Sequence, residues 1–292
     1  LTLALGILAG VIIAFLVAQM KIPAFVATLA GWFIYRGAIL VVTESTGTIV
    51  IPDETFNAIG NGFIPDLPEM GILPGVHKLT LIIGLIAIVL LIISEINSRK
   101  KKQAYNFEVL PMEMFIIKLV FTSALIGGIT WLLAGYQGLS WTAVVVLVVA
   151  IIYHFITTQT VLGRHIYAVG GNPEAAELSG INVKKITYIV FGSMGMLAAL
   201  SGILFASRLQ SATTTAGGLW ELDAIAAAFI GGVSPAGGIG KVAGSIIGAL
   251  VMLSLTSGMN LMGIGISYQY MARGAVLAAA VIFDVATRNR AH

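Results

Sequence analysis

The chain has 292 residues, of which 58% are apolar and only 10% are charged. Because soluble domains carry about 25% charged residues, this composition argues against a soluble enzyme and excludes a disordered or fibrous protein. Lys and Arg exceed Asp and Glu by a net charge of +3, an excess that in an apolar chain indicates membrane orientation and not nucleic-acid binding. There is no cysteine, and the four histidines lack metal-ligand spacing, so no disulfide and no metal site is predicted.

Nine apolar segments run along the chain, and most have the length of a membrane-spanning helix. We predict spans over residues 1–20, 24–42, 79–94, 114–134, 140–158, 186–206, 222–239, 242–258 and 269–286. The first begins without Met and without the basic segment of a signal peptide, so we expect the chain to lack an N-terminal part. The segment 222–239 is ambiguous, because its Gly-rich end contains Pro235, and it is interpreted as a short span or a re-entrant half-helix.

The distribution of basic residues favours a crossing for 222–239. With the basic run 99–102 inside, alternation also places 163–185, Lys241 and the C-terminal tail inside. Eleven of the 16 Lys and Arg residues then lie on the inner side and two on the outer side, as the positive-inside rule requires. Nine crossings that end inside place residue 1 outside, in agreement with a missing upstream span.

Two connections between the predicted spans are long. Residues 43–78 form an outer loop with several prolines and five acidic residues, and a loop of this length is usually functional or disordered. Residues 163–185 form an inner loop. No sequence repeat and no separate soluble domain is evident, so we predict one transmembrane domain over residues 1–292.

A short helix is predicted within the inner loop, over residues 173–179. Asn172 is a favourable N-cap and Pro173 suits the first helical turn, while Gly180 is a typical C-terminal stop. Glu174 and Glu177 complement the positive end of the helix dipole. This helix is either a solvated linker or a docking element for a cytoplasmic protein.

The same loop resembles the coupling loop of permease subunits from monosaccharide ABC importers, the ribose, galactose and xylose group. The matching positions are Gly163, Arg164, Ile166, Tyr167, Ala168, Gly170, Gly171, Asn172, Ala175, Ala176, Ser179, Gly180, Ile181 and Asn182. A second similar motif begins at Glu221 and continues to Gly244, and a third runs from Lys21 to Gly37. Together the motifs cover most of the chain, and within the group the xylose permeases are the most similar.

The resemblance implies an all-α, ten-helix permease of the bacterial inner membrane that pairs as a homodimer. Two cytoplasmic ATP-binding subunits would use ATP and Mg, a periplasmic sugar-binding protein would dock outside, and lipid would surround the chain. Residues 163–185 would then couple to the ATPase, through Gly170, Gly171, Asn172, Pro173, Glu174, Ala175, Ala176, Glu177, Ser179 and Gly180. The sequence departs from the family by lacking its N-terminal region.

The glycines before Lys241 do not form an ATP-binding loop. A Walker A motif requires glycine six residues before the lysine and Ser or Thr after it, but these positions hold Pro235 and Val242. We therefore expect no cofactor and no enzymatic activity in the chain itself. Close helix packing or a bend in a broken helix better explains these glycines.

Four charged residues are candidates for a translocation path: Arg36, Glu221, Asp223 and Arg273. Charges within a membrane are costly and often functional. Asp223 and Glu221 either face the sugar path, pair with Arg273, or simply complement the dipole at a helix start. Each arginine either serves the path or reaches the interface with its long side chain.

The favoured function is inward transport of a monosaccharide, D-xylose on the resemblance, by alternating access driven by partner ATPase subunits. A secondary transporter driven by an ion gradient is the first alternative, and it predicts carboxylates at the middle of the membrane. A membrane scaffold or receptor is the second. Ribose, galactose or another sugar is an alternative substrate for the same class of importer.

Overall fold

A computed structural model describes residues 1–67, 75–105, 107 and 109–289. The elements are α1 (Thr2–Ala18), α2 (Ala24–Thr43), β1 (Ile49–Val50), α3 (Glu54–Asn61), α4 (Lys78–Ala104), α5 (Met112–Ala134), α6 (Trp141–Gln159), α7 (Val161–Gly171), α8 (Pro173–Leu178), α9 (Val183–Leu209), β2 (Ser211–Ala212), α10 (Trp220–Ile230), α11 (Val242–Leu261) and α12 (Ile266–Asn289). The predicted all-α class is confirmed. The middle of the outer loop, residues 68–74, and Arg290 of the basic tail lie outside the described residues.

Seven helices of the described chain are long and apolar enough to cross a membrane: α2, α4, α5, α6, α9, α11 and α12. Helix α1 is equally apolar but has 17 residues, or about 25 Å at 1.5 Å per residue. At most 17% of any of the seven apolar windows is buried within the chain, so lipid or other subunits must cover these surfaces. The chain is a multi-pass membrane protein. The ten-helix arrangement stays a prediction.

The predicted helical span over 222–239 is wrong in its extent. Helix α10 has 11 residues and is therefore about 16 Å long, roughly half the thickness of the bilayer core. It ends at Gly231, and Gly232 follows with φ +81°. The glycines up to Gly240 form turns whose backbone groups bond one another, as between Ser234 N–H and the Ile239 carbonyl at 2.9 Å. Hydrogen bonds within these turns pair backbone N–H and C=O groups that a helix would otherwise pair.

The course of the chain between β2 and the Gly-rich turn nevertheless favours the predicted crossing. Strand β2 directly follows α9 and pairs antiparallel with β1. At the other end, the Tyr167 hydroxyl donates to the Gly240 carbonyl over 2.7 Å, and α7 and α8 lead directly into the start of α9. Since α9 has 27 residues, these two positions lie about 40 Å apart. Residues 213–240 therefore run in the predicted direction, with α10 as their helical part.

The described residues group into two packing units, one formed by Leu1–Pro52 with the chain from Val146 onward, the other by Asp53–Val145. One permease domain over residues 1–292 stays a prediction, since a membrane domain can contain two such units. In the first unit α1 lies antiparallel to α9, with Gly6 against Gly195 and Gly10 against Phe191. These small residues let the two backbones approach closely, as in other membrane helix pairs.

In the second unit the described part of the outer loop is folded. Asp53 caps α3 by accepting from the Phe56 N–H at 2.7 Å. Beyond α3, Phe63 bridges to Ser140, and the Ile64 N–H donates to the Leu139 carbonyl over 3.0 Å. A long loop was interpreted as functional or disordered, and the described residues of this loop argue against disorder.

Candidate functional site

The inner segment 163–185 contains two helices where one was predicted. Helix α7 occupies Val161–Gly171, a stretch predicted as loop, and Thr160 caps it by accepting from the Gly163 N–H over 3.1 Å. Gly163 is buried against the backbone of Thr157, where a side chain has no room. The sequence signal was available, because a threonine N-cap precedes apolar residues at helical spacing.

Helix α8 confirms the predicted short helix. The Asn172 Oδ1 atom accepts from the Ala175 N–H over 3.0 Å, and Pro173 occupies the first turn. At the other end Gly180 adopts φ +83°, and its N–H donates to the Glu177 carbonyl over 2.9 Å. The Ser179 hydroxyl bonds the Ala175 carbonyl at 2.8 Å. Helix α8 has six residues, which are too few to form a stable helix alone. The caps at both ends therefore stabilise it.

Almost all of α8 is exposed. Ala176 is 4% exposed and anchors the helix to the rest of the chain, whereas Glu174, Ala175 and Glu177 face outward. Leu178 is 90% exposed, although it lies in a polar segment and not in a membrane span. Sequence reasoning missed Leu178. Leu178 follows the two carboxylates and directly precedes the C-cap of α8. An exposed apolar side chain at this position is suited to fill a pocket on another protein.

The end of α7 packs directly on the Gly-rich turn between α10 and α11. A methyl group added to Gly170 would lie 2.8 Å from the Gly238 nitrogen, and one added to Gly238 would lie 2.8 Å from the Gly171 Cα. Contact of bare backbones is possible here only because all these residues are glycine. The two segments that resemble separate family motifs therefore touch each other, and we call this the glycine contact.

The candidate path residues are brought together only in part. The Arg273 Nη1 atom donates to Asp223 Oδ2 over 2.9 Å, so of the options for Asp223 the structure forms the pair with Arg273. Arg36 lies 5.7 Å from the ring centroid of Trp32 and approaches Gly218, just before α10. Glu221 is exposed on the first turn of α10. The structure thus assembles one ion pair from the four predicted charges.

A cavity of about 230 Å³ adjoins this ion pair, and its walls come from α10, α11 and α12. Met252 and Leu277 form part of its apolar wall, and Tyr270 lies beside the charged pair, with Arg273 5.7 Å from its ring centroid. The Arg273 Nε atom is buried and has no hydrogen-bond partner among the described residues. The site combines an apolar cavity with the charged side chains of Asp223 and Arg273 in its wall, which suits a ligand with hydroxyl groups.

On the outer loop, Asp66 caps the start of α4. Its carboxylate accepts from the N–H groups of Leu79 at 2.9 Å and Lys78 at 3.1 Å. These backbone bonds, together with the bond from Leu67 and the charge of nearby His77, hold the pKa of Asp66 below its usual range, against a smaller opposing effect of burial. The acidic loop therefore has a structural role in addition to any docking role.

Comparison with known proteins identifies the family. Residues 1–281 match the family described as the permease component of branched-chain amino acid transport systems. The chain belongs to this permease family. Helix α8, the glycine contact and the ion-paired cavity are the features of this permease that need a function. None of the solved structures matches the chain.

Curated relatives of the permease are sugar permeases by name. It is 37% identical to the xylose transport system permease of Haemophilus influenzae, covering 99% of this chain and 74% of the relative. The xylose permease of Escherichia coli K12 is 36% identical over 99% of this chain and 70% of its own length. The ribose import permease of that strain is 51% identical over 43% of this chain and 39% of its own length. The resemblance to monosaccharide permeases, above all those for xylose, is confirmed.

Proposed function

We propose that this chain is the membrane subunit of an ABC importer that moves D-xylose inward by alternating access. The observation that carries the proposal is similarity to two xylose permeases along 99% of the chain, combined with an exposed, doubly capped helix α8 on the predicted inner side. Similarity to ribose permeases makes ribose the next candidate substrate, followed by galactose.

Helix α8 is the element that we assign to the ATPase. The chain has no phosphate-binding loop of its own, so ATP and Mg belong to a cytoplasmic partner. Glu174 and Glu177 offer carboxylates to a basic groove, while the side chain of Leu178, 90% exposed, offers an apolar anchor. A small, rigid and largely exposed helix suits this docking, because little conformational entropy is lost on binding.

Movement of α8 passes to the membrane through the glycine contact. Gly170 and Gly171 end the helix that precedes α8, and Gly238 belongs to the turn that joins α10 to α11. Helix α10 carries Asp223, which holds Arg273 of α12. A displacement of α8 would thereby reach the cavity through the glycine contact, the turn that leads to α10, and the ion pair.

The cavity beside the ion pair is the part of the path that we assign to sugar. A monosaccharide has no net charge, so hydroxyl groups must be recognised by polar side chains, and brief contacts favour passage. The guanidinium of Arg273 can donate to a hydroxyl, while Asp223 can accept from one. Arg36 and Glu221 lie nearer the outer end, where sugar arrives from the binding protein.

Other subunits complete the importer. A second copy of the permease and lipid would cover the apolar helices, which bury at most 17% of each candidate window within the chain. A periplasmic sugar-binding protein would dock on the outer side, where the loop 43–78 presents acidic residues. Specificity then rests mainly with that protein, and exchanging it should change the transported sugar.

Uptake into proteoliposomes tests the proposal. The permease is reconstituted with its ATPase and binding protein, and uptake of labelled xylose, ribose and galactose is measured with ATP, without ATP, and with an imposed proton or sodium gradient. ATP-dependent uptake with xylose preferred is the expected result. Uptake that ignores ATP and follows the gradient would establish the secondary transporter instead, and ATP-dependent uptake of another sugar would change only the substrate.

A further inference from the structure

A second pocket lies between the end of α4 and the start of α5, within the unit Asp53–Val145, and the proposed transport function leaves it unexplained. Its volume is about 110 Å³. Three cationic side chains, Arg99, Lys102 and Lys118, contribute to its wall together with one carboxylate, that of Glu95. Cations gathered around a pocket point to an anionic ligand.

Glu95, Arg99 and Lys102 share one face of α4, because residues three or four positions apart on a helix are neighbours. Arg99 is fixed in place by two contacts. Its Nη1 atom donates to the Leu110 carbonyl over 2.8 Å, and its guanidinium lies 4.7 Å from the ring centroid of Phe115. A guanidinium has five N–H donors, so this anchoring uses one of them and orients the remainder.

The carboxylate in the pocket compensates only one of the cations. Lys118 pairs with Glu95 at 2.8 Å, and the two side chains are 46% and 34% exposed. Among the described residues no carboxylate pairs with Arg99 or Lys102. Among the described residues an excess of positive charge therefore remains at this open pocket.

The position of the pocket along the membrane normal indicates the chemistry of its ligand. Helix α4 begins at Lys78, and about 20 residues cross the hydrocarbon core, so Arg99 and Lys102 reach the level of the inner headgroups. Phe115 is largely buried and gives the pocket an apolar side. A basic pocket between helices at this level, next to a basic run, is the type of site that binds anionic lipid headgroups.

We propose that this pocket binds the phosphate of an anionic phospholipid of the inner leaflet, such as phosphatidylglycerol. Lys102, Lys118 and the remaining donors of Arg99 would contact the phosphate oxygens, and the apolar side would receive the first carbons of the lipid. The bound lipid would hold α4 and α5 together at their inner ends. This assignment is independent of the transported sugar and of the ATPase.

Native mass spectrometry tests the assignment on the purified permease in detergent, with phosphatidylglycerol or phosphatidylcholine added. The variants are Lys102→Gln and Lys118→Gln. The matched control is Lys101→Gln, which removes the same charge from the same basic run but does not line the pocket. Salt of about 0.3 M suppresses long-range attraction, and a second series adds inorganic phosphate as a competitor.

The expected result is one tightly retained phosphatidylglycerol per chain, no retained phosphatidylcholine, and about tenfold weaker binding in both pocket variants but not in Lys101→Gln. Equal losses in all three variants would overturn the assignment in favour of diffuse attraction by the basic run. Displacement of the lipid by millimolar phosphate would assign the site to a free anion instead. If Lys118→Gln does not fold, Lys102→Gln decides alone, because Lys102 has no ion-pair partner among the described residues.

Discussion

Tyr167 of α7 donates its hydroxyl to the backbone carbonyl of Gly240 over 2.7 Å, and so joins the segment that precedes α8 to the turn between α10 and α11. The glycine contact lies beside this bond. A bond and a backbone contact together fix the position of the turn relative to α8. Force applied to α8 therefore has a short route to α10, which carries Asp223.

The glycine contact gives the first prediction. Gly170→Ala places a methyl group 2.8 Å from the Gly238 nitrogen, which should lower stability by about 1–3 kcal/mol and reduce uptake more than ATP hydrolysis. The measurements are thermal unfolding and the ratio of sugar transported to ATP hydrolysed. Gly202→Ala is the control, because no atom lies within 4 Å of the added methyl group. An unchanged transport ratio in Gly170→Ala would show that the contact carries no coupling.

The second prediction concerns Leu178. Because its side chain is 90% exposed, Leu178→Ser should leave the stability of the isolated permease within about 0.5 kcal/mol. Binding of the ATPase should weaken by about 1–3 kcal/mol if Leu178 is an interface anchor. Affinity is measured by titrating the ATPase onto the permease. Leu261→Ser, at an 87% exposed leucine elsewhere, is the control, and equal affinities in all three proteins would remove Leu178 from the interface.

The ion pair of Asp223 with Arg273 gives the third prediction. Asp223→Asn or Arg273→Gln leaves one charge without its partner in a partly buried site, so each should lower both stability and xylose uptake. The double variant should lose less than the sum of the single losses, since the interaction is lost only once. Strictly additive losses in the four-protein cycle would mean that the two residues act separately.

A fourth prediction follows from the pKa of Asp66, which its backbone bonds lower in the folded chain. A carboxyl group with a lowered folded pKa stabilises the fold above its unfolded pKa of about 3.9, and this stability is lost as the pH falls through the folded value. Asp66→Asn should therefore be less stable than the natural protein at pH 7, with a difference that shrinks below about pH 4.

Thermal unfolding between pH 3 and pH 7 measures this difference. Asp53→Asn is the matched control, because asparagine caps a helix as well as aspartate does and Asp53 lies on the same loop. The two variants should differ most at neutral pH. If the difference in stability between Asp66→Asn and the natural protein is the same at every pH, the charge of Asp66 does not contribute to its effect on stability.

The sequence predicted the features that depend on local chemistry. Helix α8 was predictable because Asn172, Pro173 and Gly180 are each suited to one position of a short helix. Most spans were predictable because twenty apolar residues have few other stable arrangements in a membrane. The limits of α10 were not, since an apolar segment that ends in glycines satisfies its backbone equally well in turns.

Contacts between distant segments were beyond sequence reasoning. Nothing in the residues around Gly170 indicates that they meet Gly238, because glycine leaves no pattern of charge or hydropathy. The pairing of Asp223 with Arg273 was one of several options for each residue, and only the packing of α10 on α12 selects it. Leu178 was overlooked because it continues a helical pattern in which an apolar residue is usually buried.

The role of Glu174 is the central claim, since it lies on α8 and faces outward. Reversing its charge with Glu174→Arg should prevent productive docking on a partner that binds carboxylates, without disturbing the membrane helices. Glu113→Arg makes the same reversal at an exposed first-turn glutamate of α5, outside the loop assigned to the binding protein, and serves as the control for charge alone.

The most direct measurement is ATP-driven xylose uptake by proteoliposomes that contain the permease, its ATPase and its binding protein. The account predicts that Glu174→Arg abolishes uptake while Glu113→Arg transports normally. Full ATP-driven uptake by Glu174→Arg would contradict the assignment of α8 as the coupling helix, and uptake by the natural protein without any ATP would contradict the importer itself.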